Sequence, residues 1–251
     1  MNIGLIGAGN MARAMARGWG MPVLCFDPVA QRAEALADET GGEALASGVE
    51  VAERADLVVL CHKPAQLSDV AHELAPKARA VASILAATSL QALKAAYPER
   101  PVYRFRPALP AEVRAGAIVQ AADVEQDGAL DSQVRDLFAR LGTLVTLDDA
   151  LIDVAMGLMS CAPAYVALVA EAQVEAGVRR GIPPDQASVL VTETLAGTAQ
   201  LLRNRDHDTL ALRREVTSPG GTTARGLAAL ERAGVRAAFS DALDAVLGGS
   251  R

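Results

Sequence analysis

Two short stretches of this chain carry the residue types and spacing that chemistry needs. Ser218-Pro219-Gly220-Gly221-Thr222-Thr223 interrupts a helical pattern that resumes through Leu227 and Leu230. Small side chains, successive hydroxyls and the N–H groups that a helix start leaves unpaired describe a cradle for a small anion such as a carboxylate. The competing reading is a cap: Pro and Gly break the chain, a Thr closes the next helix, and no ligand is involved. At the other end, Gly7-Ala8-Gly9-Asn10-Met11-Ala12 follows the apolar run Ile3-Gly4-Leu5-Ile6 and opens a helix, the G-x-G-x-x-A form of the dinucleotide fingerprint. Gly7 permits the turn, Gly9 lets a pyrophosphate approach, and Ala12 keeps helix and strand close. Ala8, Asn10 and Met11 belong to the turn and helix start that face the phosphates.

Three further positions extend a cofactor site. Asp27 ends the second strand, 20 residues after Gly7. A carboxylate there takes a ribose 2′-hydroxyl and repels a 2′-phosphate, which favours NADH over NADPH. Arg32 stands five residues on and could receive a phosphate instead. His62-Lys63-Pro64 follows a strand at 57–61, at the edge where open α/β sheets bind ligands. Lys63 is read as a cofactor contact, with an exposed loop lysine as the alternative. Ala86, closing the strand at 81–86, completes the expected cofactor set. His72 and His207 are too far from His62 to make a metal spacing, and no His/Cys/Asp/Glu cluster stands out elsewhere, so no metal is expected.

The elements that must position these residues alternate. Strands are expected at 2–6, 23–26, 57–61, 81–86, 101–105, 116–120 and 143–147, and helices at 10–18, 29–40, 65–74, 89–96 and 129–141. That is the order of an α/β doubly wound, Rossmann-like sheet. After Asp148-Asp149 the strand signals stop and the chain reads as all-α, so domains are expected at 1–148 and 149–251. Residues 154–170 form a 17-residue uncharged run. That is short of the roughly 20 that a bilayer requires, and it predicts a helix buried in a core or a subunit interface.

Composition narrows the function classes. A chain of 251 residues, 51% hydrophobic and 22% charged, can bury a large core. A net charge of −6, no basic block and 3% aromatics give nucleic acid or an anionic membrane nothing to bind. Cys25, Cys61 and Cys161 each sit in an apolar run, as in a reduced cytoplasmic protein, and no signal peptide is legible at the N-terminus.

Taken together, "GLIGAGNMA" at 4–12, "HKP" at 62–64, "DALIDVAMGL" and "APAYVALVAEA" between 149 and 172, and "VTSPGGTTARGLAALERAG" at 216–234 resemble the pyrroline-5-carboxylate reductase family along essentially the whole chain. The resemblance implies an N-terminal Rossmann domain that holds NAD(P)H and helical domains that interlock between subunits. It implies at least a homodimer, possibly a ring of dimers, with the substrate at the interface. It implies that Ser218, Gly221, Thr222 and Thr223 hold the carboxylate and ring nitrogen of a cyclic imine acid, with Thr223 as the catalytic hydrogen-bond donor. The implied activity is reduction of 1-pyrroline-5-carboxylate to L-proline, the last step of proline biosynthesis. Departures surround that site. The family commonly reads M-P-N-T-P where this chain has Arg106-Pro107-Ala108-Leu109-Pro110. It reads S-G-S-G-P-A-Y where this chain has Met159-Ser160-Cys161-Ala162-Pro163-Ala164-Tyr165, and it has a glycine at Ala87. Two alternatives therefore stay open: a reductase of another cyclic imine or ketimine acid, and a non-catalytic dinucleotide-binding protein of the same fold.

Overall fold

The computed structural model describes residues 1–123 and 128–248. Eight strands form one sheet in the order β3-β2-β1-β4-β5-β6-β7-β8: β1 Ile3–Ile6, β2 Leu24–Phe26, β3 Glu43–Ala44, β4 Leu57–Leu60, β5 Val81–Ser83, β6 Val102–Pro107, β7 Gly116–Ala121 and β8 Gly142–Leu147. The strand order reverses between β1 and β4, the switch point beside which open parallel sheets bind ligands. β1 and β4 are buried on both faces, which is why they read as unbroken Ile/Leu/Val runs rather than as alternating ones.

Helices α1 Asn10–Trp19, α2 Ala30–Thr40, α3 Gly48–Arg54, α4 Leu67–Leu74, α5 Leu90–Ala96 and α6 Ala129–Ala139 fill the crossovers. One layer of core, with Met15, Trp19, Phe105 and Phe138, lies on one face of the sheet. The other, with Val51, Leu74, Leu93 and Tyr97, lies on the opposite face. The doubly wound reading holds with two refinements. β7 runs antiparallel to β6, because only a short 3-10 turn at Leu109–Val113 joins them and a parallel crossover needs a dozen residues or more. The sequence also gave no expectation of β3 or α3, although Ser47 caps α3 by accepting the Glu50 N–H at 3.1 Å.

Beyond the sheet come α7 Ile152–Met159, α8 Ala162–Val178, α9 Pro184–Arg203, α10 Thr209–Glu215, α11 Thr222–Arg232 and α12 Val235–Val246. The uncharged run at 154–170 is two helices, not one. Pro163 sits in the first turn of α8, where its missing N–H costs nothing, and it disfavours helical geometry at the residue before it. The chain divides into compact units at Met1–Pro163 and from Ala164 onward. In the first unit, α7 buries Ile152 and Ala155 against the sheet. In the second, Ala187 and Leu212 are the buried apolar residues among those described, and α8 buries none of its own.

Candidate active site

The fingerprint turn is built by two glycines with different reasons for being glycine. Gly7 has φ +102, and a Cβ there would stand 2.9 Å from the Cys61 carbonyl group, so the fold itself requires it. Gly9 has an ordinary φ of −76, and a Cβ on it would meet nothing within 4 Å. No intramolecular contact explains its lack of a side chain; an approaching pyrophosphate does. Gly9 is also the N-cap of α1, no side chain caps that helix, and its first turn carries no acid. Its leading N–H groups are therefore left for an anion. Met11 is half-buried, Asn10 is exposed, and Ala8 is buried with Ala12 against the sheet.

Gly7, Gly9, Asp27, Arg32, His62 and Lys63 line one cleft of about 360 Å³ at the carboxyl ends of β1, β2 and β4. The structure thus brings together residues spread over the first quarter of the chain. Asp27 is buried, and its two oxygens accept the Ala8 and Val29 N–H groups, each at 2.9 Å. His62 Nδ1 lies 2.9 Å from the Lys63 carbonyl. A carbonyl only accepts, so Nδ1 carries the hydrogen and Nε2 is a bare acceptor, buried and without a partner. Burial holds this imidazole below its ordinary pKa and keeps it neutral. Burial also raises the Cys61 thiol, and burial with the Asp27 charge pushes Cys25 up to about 11, so neither is a nucleophile at neutral pH.

Pro64 and Ala87 line a second opening of about 470 Å³ with Thr88, Arg104, Asp149 and Asp153. Ala86 is on neither wall; its carbonyl accepts the Thr88 hydroxyl at 2.9 Å, and the residue turned to the opening is Ala87. Ala87 has φ +48, so it keeps a glycine-like backbone at the cost of left-handed strain.

Two buried arginines on one face of β6 carry no expectation from sequence. Arg104 donates to Asp149 Oδ1 at 2.7 Å and to Asp153 Oδ1 at 3.0 Å, which clamps α7 to the sheet. Arg106, where the resemblance leads one to expect Met, donates to the Ile84 carbonyl at 3.2 Å and to Met156 Sδ at 2.7 Å. An R-x-R at the end of a strand was the legible signal, since charged side chains are almost never buried without a purpose. Among the described residues, no group of three or more His, Cys, Asp or Glu side chains gathers as a metal site.

In the second unit, Ser218 to Gly221 is a turn closed by the Gly221 N–H to the Ser218 carbonyl at 3.0 Å, with Pro219 and a Gly220 of φ +66 in its centre. Gly221 is required because a Cβ there would collide with Ser218 Oγ at 2.3 Å. Gly221, not a threonine, is the N-cap of α11, and no side chain bonds there. The expectation that a Thr caps this helix is therefore wrong: Thr222 and Thr223 are its first two residues, past the position from which a hydroxyl can cap. The side chains of Ser218, Thr222 and Thr223 are exposed at the start of a three-turn helix whose first N–H groups are also free.

Comparison with known proteins follows the same two stretches. Residues 149–251 match the model for pyrroline-5-carboxylate reductase dimerisation, and residues 2–87 match NADP oxidoreductase, coenzyme F420-dependent. The pyrroline-5-carboxylate reductase of Thermus thermophilus is 34% identical, covering 98% of this chain and 95% of the relative. That of Synechocystis is 32% identical over the same shares. The chain belongs to the pyrroline-5-carboxylate reductase family. Among solved structures, 1-pyrroline-5-carboxylate reductase from Streptococcus pyogenes superimposes with a TM-score of 0.89 at 29% identity, covering 99% of this chain and 97% of that one. The Plasmodium falciparum pyrroline carboxylate reductase with NADP bound, at 24% identity and a TM-score of 0.87, shares the fold. Membership in the pyrroline-5-carboxylate reductase family makes this chain an oxidoreductase, and it places Arg106, Ala108, Leu109 and Ala87 as this member's own variations.

Proposed function

We propose that this protein uses a reduced nicotinamide dinucleotide to convert 1-pyrroline-5-carboxylate to L-proline, the last step of proline biosynthesis. Full-length similarity to named reductases supports the reaction. The observation that carries it is the Ser218–Thr223 turn, whose hydroxyls and N–H groups are committed to no cap. A pure cofactor sensor has no need of such a cradle.

Gly7, Ala8, Gly9, Asn10 and Met11 hold the pyrophosphate, and the open space over Gly9 fits it. Asp27 meets a ribose hydroxyl: each oxygen accepts one N–H and keeps a lone pair for another donor. NADH is therefore the preferred coenzyme, with exposed Arg32 as the group through which NADPH is accommodated. His62, Lys63, Pro64 and Ala86 continue the cofactor wall toward β5, and the buried Nε2 of His62 takes a hydroxyl or amide hydrogen there. When bound, the reduced nicotinamide supplies the hydride that reaches the carbon of the substrate C=N bond. Ser218, Gly221 and Thr222 dock the carboxylate. Thr223 hydrogen-bonds the ring nitrogen as its charge changes, and most of the acceleration comes from this positioning.

Residues 1–148 then serve as the dinucleotide domain, and 149–251 as the substrate and dimerisation domain. Asp149–Val178 has a mean hydropathy of 1.7 and the length of a membrane span, yet it leaves an apolar face suited to a second copy of this chain. Its break at Pro163 and the Arg104 clamp on Asp149 and Asp153 favour a homodimer, and rings of dimers, over a span. A cytoplasmic location, with no membrane or nucleic-acid partner, fits the three free thiols and the net charge of −6. The test is oxidation of NADH and of NADPH by purified protein with 1-pyrroline-5-carboxylate, with proline quantified. Coenzyme oxidation with stoichiometric proline is expected; no imine-dependent oxidation would overturn the reading.

A further inference from the structure

Arg106 is a buried cation with too few partners. It is 9% exposed and sits next to last in β6, at the carboxyl edge shared with β1, β4 and β5. Beyond the switch point this edge faces the nicotinamide half of a dinucleotide, since Asp27 and the fingerprint take the other half. Removing a guanidinium from water costs several kcal/mol unless charge and hydrogen bonds compensate. Its neighbour Arg104 has two carboxylates at hydrogen-bond distance; Arg106 has a carbonyl and a thioether. Nη1 is spent on Ile84, whereas the Nε–Nη2 edge holds only Met156 Sδ, and Nε has no partner at all. That edge is the fork that grips a carboxylate with two parallel bonds. Met156 is a weak acceptor on a flexible side chain, and it can swing away when an anion arrives.

We propose that Arg106 binds a second carboxylate, distinct from the one docked at Ser218–Thr223, so that this enzyme reduces cyclic imines bearing two acidic groups. The proposal rests on the reductase reading above, and it deepens the substrate class of that site. Chemistry is unchanged: the imine carbon gains hydride, the ring nitrogen gains a proton, and the coenzyme is oxidised. What Arg106 adds is affinity for the second acid, in a loop where Ala108 and Leu109 offer neither the amide nor the hydroxyl that the family resemblance leads one to expect.

The experiment compares 1-pyrroline-5-carboxylate with 1-pyrroline-2,5-dicarboxylate as substrates of the wild type, Arg106→Met and Arg106→Lys, with Tm recorded for each. In parallel, calorimetry on the NADH-bound protein measures pyrrole-2-carboxylate against pyrrole-2,5-dicarboxylate. Arg106→Met should lower kcat/KM for the dicarboxylate at least tenfold more than for the monocarboxylate, and weaken the aromatic diacid by a similar factor relative to the monoacid. Arg106→Lys keeps the charge but loses the fork, and should fall between. Equal losses on both substrates and both ligands would make Arg106 purely structural and overturn the proposal. If the wild type reduces neither imine, the reductase reading fails, and calorimetry alone decides whether Arg106 selects the diacid. Should Arg106→Met not fold, Met156→Leu replaces it: freeing the fork should tighten the diacid, and weaker diacid binding would overturn the proposal.

Discussion

Asp27 Oδ2 accepts the N–H of Ala8 at 2.9 Å, so a buried carboxylate at the end of β2 pins the fingerprint turn after β1. Its other oxygen holds Val29 at the start of α2. One residue thus shapes the cleft and presents a carboxylate to it. Asp27→Ser should raise the NADPH-to-NADH ratio of kcat/KM, and it should also cost about 1–3 kcal/mol, because two buried N–H groups lose a charged acceptor. Kinetics with both coenzymes beside a thermal melt check the two effects; an unchanged coenzyme ratio with lowered stability would leave Asp27 a purely structural residue.

The two fingerprint glycines should part company on mutation. Gly9→Ala places a methyl in open space at an ordinary φ, so Tm should hold while NADH affinity drops. Gly7→Ala forces a left-handed residue against the Cys61 carbonyl and should destabilise by more than about 2 kcal/mol. Melting curves with and without NADH separate these outcomes. A Gly9→Ala protein that binds NADH as tightly as wild type would remove the pyrophosphate from this turn.

Because Gly221 is the N-cap of α11, Thr223→Ala should change stability by no more than about 0.5 kcal/mol. If its hydroxyl bonds the imine nitrogen, kcat and kcat/KM should fall together, since that interaction strengthens in the transition state. Ser218→Ala should mainly raise KM, because a carboxylate contact is made about equally before and during reaction. Steady-state rates on both variants decide; wild-type kinetics in both would empty the cradle of its role.

Ala87 carries φ +48 on a non-glycine residue. Ala87→Gly should relieve about 1–2 kcal/mol of left-handed strain, less about 0.5–1 kcal/mol of extra chain entropy. A rise in Tm of a few degrees is expected. A fall would mean that the Ala87 methyl contributes more by contact than the strain costs.

Leu168 is 64% exposed on α8 and Leu190 is 58% exposed on α9, too much apolar surface for a helical unit to leave in water. The wild type should be at least a dimer by light scattering at micromolar concentration. Leu168→Glu should shift it toward monomer and lower activity with it. A monomeric wild type with full activity would contradict both the assembly and a substrate site completed between subunits.

Local chemistry made much of this protein legible in advance. The two-faced burial of β1 and β4, the turn demands of Gly7 and the Pro219-Gly220 break follow from backbone sterics and hydrophobic runs, which neighbouring residues alone decide. The Ser47-x-x-Glu50 signal at α3 was equally local and was simply passed over. Tertiary structure decided the rest. Whether Gly9 lacks a side chain for the fold or for a ligand depends on what occupies the space around it, and that space is lined from elsewhere in the chain. The Thr cap failed because the turn's closure at Gly221 fixes where α11 begins, one residue before the first hydroxyl of the pair. The antiparallel pairing of β7 depended on the length of a connection rather than on any strand's own residues. Above all, Arg104 and Arg106 are two residues apart and chemically alike, yet one meets two carboxylates and the other a thioether. Their partners lie about fifty residues downstream, and only the docking of α7 on β6 assigns them.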